Sequence, residues 1–525
     1  MIRRKIVRGA AWFTYGYLFV MFFMVLFFNK PGVFVFSIPL QTFCFVLGAT
    51  LFISTAFLLQ KRIEKSRLCA IVVKREKWVV TICLLVLFVL QLLFVGRFYI
   101  PAGTDAHDIY MSAQGLPIVS SAGVLSNTYF STFPNNLFLL FFERAVYQIN
   151  LFFGFGFDFY WVLVVINIIA IDGSLCLIYA IVRRSFSQKI AWFALILGVL
   201  LLGFSPWLTV VYSDTLSMPL TLLTFYLYLR LRATRNITHK LLYGLLLGII
   251  LCCGFLIKPT TIFSGLAIIV IEGLLCDYKQ LLRNTRKLTV IFSVSLAVLL
   301  GTFSVRLPYN YVVEHQQLVP YDASKNMPFT YWMMIGLNET VANGHTMYGF
   351  APKDFSTTFA IDGKDAKMDH TVRVIKMRFK DFGPFGYLHY LWKKSIWILS
   401  DGTFYWGNEG VREPVRASGG ISRIVQQFIY PSGKYHLYYA YMLQTVWLLI
   451  LFIIASGIFA VKRYAKKEFF IVVCTVFGSI MFVLLFEGRS RYLMNNLGYF
   501  IILAALGLDT ILNRLKKIRA KHARS

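Results

Sequence analysis

Residues 78–115 read WVVTICLLVLFVLQLLFVGRFYIPAGTDAHDIYMSAQG. The first 19 contain no Asp, Glu, Lys or Arg. As a helix rising 1.5 Å per residue they reach about 28 Å, close to the roughly 30 Å hydrocarbon thickness of a bilayer. Similar runs recur along the chain. Twelve spans are expected, at roughly 10–28, 35–59, 78–96, 160–182, 189–204, 214–229, 240–257, 261–275, 288–305, 439–461, 468–486 and 491–512. The first is about 19 residues long, lacks a small-residue cleavage site and is followed at once by another span, so it is expected to stay in place rather than be removed as a signal peptide.

Composition agrees with these runs. Of 525 residues, 58% are hydrophobic and 15% charged, whereas soluble chains carry about 25% charged residues. The net charge of +29 would suggest nucleic acid in a soluble protein; beside long uncharged runs it does not. Disorder, a disulfide-stapled secreted domain and a soluble nucleic-acid binder are excluded. The expected class is an all-α polytopic membrane protein with about 12 transmembrane helices and an outer domain that is mixed α/β or mainly helical. The eight cysteines, Cys69 among them, lie in or beside apolar runs with no CxxC spacing, and are read as packing residues. No metal-ligand motif is visible, so no cofactor is assigned, although a divalent metal stays open.

Lys and Arg set the orientation. Segments 1–9, 60–77, 183–189, 230–240, 276–287, 462–467 and 513–525 hold 32 of the 53 basic residues, and with twelve spans all fall on one side. That side is expected to be the cytoplasm, with both termini there. Residues 134–150 (PNNLFLLFFERAVYQIN) invite a thirteenth span, but Glu143 and Arg144 at its centre are costly in hydrocarbon. It reads better as an interfacial helix starting at Pro134, with Glu143 and Arg144 as an adjacent ion pair. The expected divisions are 1–77, two spans and a basic loop; 78–305, the main membrane module with outer loop 97–159; 306–438, an outer domain with nearly balanced charge; and 439–525, three spans and a basic tail.

Asp105 and Asp108 stand three residues apart just beyond the third span, with His107 between them and Tyr110 following. A carboxylate at the lipid–water boundary can act as a base on a substrate offered from both phases, and partial desolvation plus a like-charged neighbour would raise one carboxyl toward working pH. The bland alternative is helix capping. Three cations sit at outer span ends: Lys258, Arg489 and Arg491. Each has a structural reading too, Lys258 as a snorkelling side chain and Arg489 as partner of Glu487. Asp214, after Tyr212, is either part of a cleft or an N-cap. Asp172 lies mid-span, where hydrogen bonding to a neighbouring helix or a proton-site role would explain it.

The order of these motifs resembles a known family. The membrane-proximal Asp is followed by FSTFPNNLFLLFF, a span ending in Arg-Arg, the turn VYSDTLSMPL, LIKPTT and EGRSRYL. This is similar to the C-type glycosyltransferase (GT-C) superfamily, in the branch of protein O-mannosyltransferases and aminoarabinose transferases and their Gram-positive bacterial relatives. The resemblance covers most of 78–512. The chain departs from the family in the two spans ahead of 78 and in Asp-Ala-His-Asp where many members show adjacent acids, which leaves the choice of base between Asp105 and Asp108 open. Ile109 and Ala113 fall four and eight residues after Asp105, as in the family pattern.

The resemblance implies an inverting transfer of a sugar from a polyprenyl-phosphate carrier to an envelope acceptor (glycan, teichoic acid, lipid or protein) on the outer face. It implies Asp105 as base with Asp108 assisting, Lys258, Arg489 and Arg491 on the donor phosphate, and His107, Tyr110, Asp214 and Glu487 toward the acceptor or cleft. The partners would be the lipid-linked sugar, membrane lipid and the acceptor, with no nucleic acid. The rivals are a transporter or flippase of lipid-linked glycan, which should show repeats and midplane substrate groups, and an O-antigen-type polymerase or ligase relying on outer-loop arginines.

Overall fold

A segment in hydrocarbon must satisfy its backbone N–H and C=O groups within itself, so the uncharged runs have helix as their stable form. The computed structural model describes residues 2–28, 36–63, 74–100, 103–118, 126–154, 156–342, 345–406 and 417–522. The centre of the basic segment 60–77, with Cys69, and stretch 407–416 of segment 306–438 lie outside the described residues.

Helices α1 (Ile2–Phe27) and α2 (Ile38–Ile63) precede α3 (Glu76–Phe98), which carries the run at 78–96. Glu76 in its first turn and Arg97 in its last complement the helix dipole. The first long connection holds α4 (Thr104–Ala113), α5 (Ser126–Thr132) and α6 (Leu137–Phe152). Then come α7 (Phe159–Ser185), α8 (Gln188–Gly198), α9 (Ser213–Leu216), α10 (Met218–Ala233), α11 (Ile237–Ile257), α12 (Ile262–Leu274), α13 (Tyr278–Leu282) and α14 (Thr285–His315). Side-chain caps define several starts. Asp158 accepts from the Tyr160 and Trp161 amides, Ser187 from Ile190, and Asn236 from Thr238 and His239.

Among its described residues, segment 306–438 is mainly helical: besides the end of α14 it holds α15 (Phe329–Gly336), α16 (Pro352–Phe359), α17 (Lys364–Leu399) and α18 (Gly420–Ile429), with one hairpin of β1 (Glu339–Ala342) and β2 (His345–Tyr348). The strands are antiparallel, with Glu339 opposite Tyr348. Helix α17 kinks at Gly383 (φ +57°), which precedes Pro384. Its end joins the main core: Trp447 donates its indole N–H to the Leu399 carbonyl at 2.8 Å, and Trp207 to the Thr403 carbonyl at 3.0 Å. The chain closes with α19 (His436–Ser456), α20 (Ala460–Arg463), α21 (Lys467–Leu485) and α22 (Leu497–His522).

The expectation of a helical polytopic membrane protein is met. Among the described residues nine helical stretches are long and apolar enough to cross a membrane. The expected spans 189–204, 214–229 and 261–275 fall instead on the shorter α8, α10 and α12. Even with its π-turn Val199–Gly203, α8 covers only 16 residues, about 24 Å at 1.5 Å per residue. Helix α22 is enclosed by protein, whereas α2 and α14 leave most of their apolar surface open, including Phe43 and Leu51 on α2 and Phe292 and Leu299 on α14.

Helix α14 is held by close backbone approach to α11. A methyl carbon on Gly301 would lie 2.1 Å from the Leu245 carbonyl oxygen, and one on Gly248 would lie 2.0 Å from that of Val298. Small residues let apolar helices associate through dispersion where water supplies no driving force. Gly301→Val should therefore separate the pair and cost about 1–3 kcal/mol, the usual range for overpacking. A lowered thermal midpoint of the detergent-solubilised protein would register it; an unchanged midpoint would mean that the contact tolerates a side chain.

Candidate active site

Between α8 and α9 the chain leaves helical form while still buried, and its carbonyls need partners from elsewhere. Gln91 of α3 donates to the Gly203 carbonyl at 3.0 Å, and the Tyr439 hydroxyl to that of Phe204 at 2.8 Å. The Asn167 amide nitrogen lies 2.9, 3.0 and 3.3 Å from the carbonyl oxygens of Trp207, Leu208 and Val210. The Tyr160 hydroxyl donates to the Thr209 carbonyl at 2.5 Å. The same Gln91 amide reaches the Asp172 carboxylate at 3.1 Å, so the mid-span acid is hydrogen-bonded to a neighbouring helix as expected. This scaffold delivers Tyr212 and Asp214 to one end of the bundle.

Asp105 occupies the first turn of α4, directly after Thr104, whose φ of +48° is strained for a β-branched residue. The Tyr129 hydroxyl donates to Asp105 Oδ1 at 2.8 Å, and the Tyr212 hydroxyl lies 3.4 Å from Oδ2. Asn136 supports both phenols: its Nδ2 donates to the Tyr129 oxygen at 2.8 Å and its Oδ1 lies 3.4 Å from that of Tyr212. Burial, reinforced by the Asp105 carboxylate, pushes both phenols well above their ordinary pKa of 10. They stay protonated and remain donors to the acid. Asp105 is half-buried and Asp108 fully buried. Tyr110 turns to the other side of α4, its ring 5.4 Å from Phe159 and 5.3 Å from Tyr160; His107 lies 6.2 Å from the Tyr110 ring.

The cations arrive on the 3₁₀ turn Ser490–Asn496 and at the end of α11. Arg491 is buried with its guanidinium 5.4 Å from the Tyr212 ring centroid and 5.2 Å from that of Tyr492. The Lys258 ammonium sits 5.0 Å from the Tyr492 centroid and forms a buried ion pair with Asp214. Asp105, Tyr212, Arg491, Tyr492, Lys258 and Asp214 thus form one continuous contact path. The expected pairing of Arg489 with Glu487 is present at 3.3 Å. Arg489 also stacks on Phe350 at 4.4 Å and Tyr405 at 5.1 Å. Burial would lower its pKa, but Glu487, Tyr492 and Tyr405 together outweigh that and raise it, so the guanidinium stays charged.

Two supports hold this turn. Asp401 accepts from Ser490 at 2.8 Å and from the Tyr405 amide at 2.6 Å, beside the left-handed Phe404 and Tyr405 (φ +54° and +67°). Lys394 donates to the carbonyls of Gly336, Leu484 and Phe486 at 2.7, 2.9 and 2.5 Å. Burial pushes its pKa down to about 7, against the pull of Glu487. Only the ammonium form has the three protons these carbonyls take.

The structure therefore brings Asp105, Asp214, Lys258 and Arg491 onto one path, with Arg489 and Glu487 beside it, and turns Tyr110 away. Asp214 lies inside the first turn of α9, whose N-cap is Tyr212, and Lys258 does not snorkel; they bind each other. The expected Glu143–Arg144 pair is absent. Successive helix residues point about 100° apart and do not face each other, and here Arg144 donates to the Ala113 carbonyl at 2.9 Å. Glu143 is buried, its oxygens without a donor among the described residues, and burial pushes its pKa well above the usual carboxylate range. Reading the sequence missed Tyr129, Asn136, Tyr492, Asp401 and Lys394. Asn136 had a signal in the Pro-Asn-Asn motif; Asp401 and Lys394 had none. Among the described residues no group of three or more His, Cys, Asp or Glu is arranged to hold a metal ion.

A helical polytopic membrane protein with an acid–cation site at the span ends is the class these features define. The chain belongs to the family described as "conserved hypothetical integral membrane protein", whose model matches residues 9–512. No curated protein matches it significantly. Among solved structures it is similar to the archaeal oligosaccharyltransferase AglB from Archaeoglobus fulgidus in complex with an inhibitory peptide and a dolichol-phosphate. That likeness has 12% identity and a TM-score of 0.41, covering 86% of this chain and 52% of that one. The chain thus spans about half the length of AglB. It is also similar to ArnT from Cupriavidus metallidurans bound to undecaprenyl phosphate, at 12% identity and a TM-score of 0.33, covering 83% and 78% of the two chains. The apo state of ArnT matches at 13% identity and a TM-score of 0.29, with the same coverage.

Asn167→Leu tests whether the broken segment positions the site. Leaving buried carbonyls without a donor costs about 1–3 kcal/mol each, so the thermal midpoint should fall. Proteolysis in detergent should expose the chain near 204–212 first. Loss of stability without local cleavage would mean that the asparagine supports the bundle as a whole.

Proposed function

We propose that the protein is an inverting membrane glycosyltransferase of the C type, which moves a sugar from a polyprenyl-phosphate carrier to a hydroxyl-bearing envelope acceptor. The observation that carries this reading is the juxtaposition at one bundle end. A half-buried Asp105, hydrogen-bonded by neutral phenols rather than neutralised by a cation, lies on one contact path with buried Arg491 and Lys258. A base and a phosphate-binding group are the two parts that such a transfer needs.

In this reading Asp105 takes the proton of the acceptor hydroxyl as its oxygen bonds to the anomeric carbon from the face opposite the carrier. The bond from that carbon to the phosphate oxygen breaks, the electron pair leaves with the phosphate, and the configuration inverts. The charge left on the polyprenyl phosphate is met by Arg491, with Arg489 and Lys258 nearby; a preorganised cation in a low-dielectric site stabilises developing charge strongly. A donor phosphate would compete with Asp214 for Lys258. Asp108, three residues on from Asp105 along the same helix, would border the acceptor, whereas His107 sits with Tyr110 on the other side. The basic segments gather at the opposite end, as the contacts of Arg183, Lys189, Arg232, Arg463 and Lys467 with Glu76, Asp509, Glu468 and Glu272 illustrate. By the positive-inside rule that end is cytoplasmic and the Asp105 end is outside.

Asp105→Asn keeps an acceptor oxygen for Tyr129, turns an amide NH2 toward the Tyr212 oxygen and removes the base. It should lower transfer by about 10²–10⁴-fold, the range for a positioned general base, with membrane insertion unchanged. Purified enzyme, radiolabelled polyprenyl-phosphate sugars and an envelope extract make the assay; full turnover by the variant would remove Asp105 from the role. Because detergent abolishes sidedness, any transfer seen there also sets the enzyme apart from a flippase.

Arg491→Gln should weaken binding of the lipid donor about 10–100-fold, as expected for losing a charged hydrogen bond, and leave acceptor affinity near its original value. Equal losses for donor and acceptor would make Arg491 a structural residue of the turn.

A further inference from the structure

The bundle end away from Asp105 holds a second cationic assembly that the proposed reaction does not use. Helix α7 has 27 residues and so separates its two ends by about 40 Å. Its Phe159 end stacks against Tyr110 of α4, and its Ser185 end meets Lys466. Helix α21 runs back from Lys467 at this far end to Leu485 beside the active-site turn.

Where α7 gives way to α8, and α20 to α21, an open pocket of about 400 Å³ is lined by Lys189, Arg463, Lys466 and Asp509, with Phe186 and Ile190 as apolar wall. Asp509, buried on α22, organises it. Its Oδ1 accepts from the Lys189 ammonium at 2.9 Å. Its Oδ2 accepts from the Tyr464 hydroxyl at 2.5 Å and the Asn513 amide at 2.9 Å, and forms an ion pair with the Arg463 guanidinium at 2.9 Å. Both oxygens are occupied, so the acid serves to aim two cations rather than to bind a third. Lys466 adds another, its ammonium on the Ser185 carbonyl and 4.4 Å from the Phe186 ring centroid.

Three cations face one carboxylate, leaving two positive charges in a concave site. Arg463 has five N–H groups and each lysine has three, more than that carboxylate and the Ser185 carbonyl can accept. An oxyanion would satisfy the remainder. A phosphodiester presents two acceptor oxygens that share one negative charge, and the apolar wall beside the cations, at the level where the spans end, suits the glycerol and upper acyl carbons attached to it.

We propose that this pocket binds the phosphate of an anionic lipid headgroup in the leaflet at the end remote from Asp105. The site ties the ends of α7, α8, α20 and α21 to the middle of α22, which makes it a membrane-anchoring contact independent of the transfer reaction.

Reagent footprinting of the full-length protein in nanodiscs tests it without mutation. Lys189 and Lys466 are labelled with an amine-reactive reagent in phosphatidylcholine alone and in phosphatidylcholine with phosphatidylglycerol. The expected result is slowing of both by at least about fivefold in phosphatidylglycerol, the equivalent of one cation's attraction to anionic lipid, while exposed Lys462 next to the pocket reacts as before. If inorganic phosphate added to phosphatidylcholine discs protects equally well, the phosphate site stands and its source is the soluble anion. Equal slowing of all three lysines reflects surface charge alone and overturns the pocket, as does protection of none. In native mass spectra Lys466→Gln should retain about fivefold less phosphatidylglycerol than the parent; undiminished retention also counts against the site.

Discussion

Hydrogen bonds from side-chain donors to buried carbonyls of broken helices are the interaction on which the rest depends. Lipid offers no water to satisfy a helix that stops early, and an orphaned carbonyl there is costly. At 203–210 the chain answers with Gln91, Tyr439, Asn167 and Tyr160; at 484–488 it answers with the ammonium of Lys394. These donors come from helices distant in sequence, so each break is locked to the bundle. The breaks carry Tyr212, Asp214, Glu487, Arg489 and Arg491. Shortness in α8 and the interruption after α21 are thus what create room for polar side chains at the span ends.

Within the site, Asp105 is held apart from the cations. Asp105 receives hydrogen bonds from phenols whose burial keeps them protonated. The nearest cation on its contact path, Arg491, lies over the face of Tyr212 rather than against the carboxylate. Direct pairing of the two would stabilise the carboxylate and make it a weaker base for the proposed reaction. The other cations are offset by acids of their own, Lys258 by Asp214 and Arg489 by Glu487. This lowers the cost of burying them and leaves charge that an incoming anion can recruit.

The far end uses the same device in another setting. Asp509, buried in the enclosed helix α22, gathers Lys189 from α8 and Arg463 and Tyr464 from the end of α20. A carboxylate at each end of the bundle therefore sets the geometry of cations around it. Between the two ends the interior is apolar, apart from isolated pairs such as Gln91 with Asp172.

The twelve apolar runs all became helices, and the charged residues at their ends were visible as such, because both follow from local composition and a 1.5 Å rise. Asp105, Lys258 and Arg491 were legible for that reason: a charge at the lipid boundary is conspicuous in a chain with 15% charged residues. Tyr129 and Tyr492 were not, since two phenols among 29 tyrosines carry no mark of their own. Nor was the Asp214–Lys258 pair, whose members lie 44 residues apart, or Lys394, whose partners are backbone atoms about 58 to 92 residues away. Local sequence alone determined the helices, their polarity and the candidate charges. Only the tertiary structure decided which charges meet, because buried polar groups choose partners by proximity in the folded bundle, and that proximity is set by where the helices break.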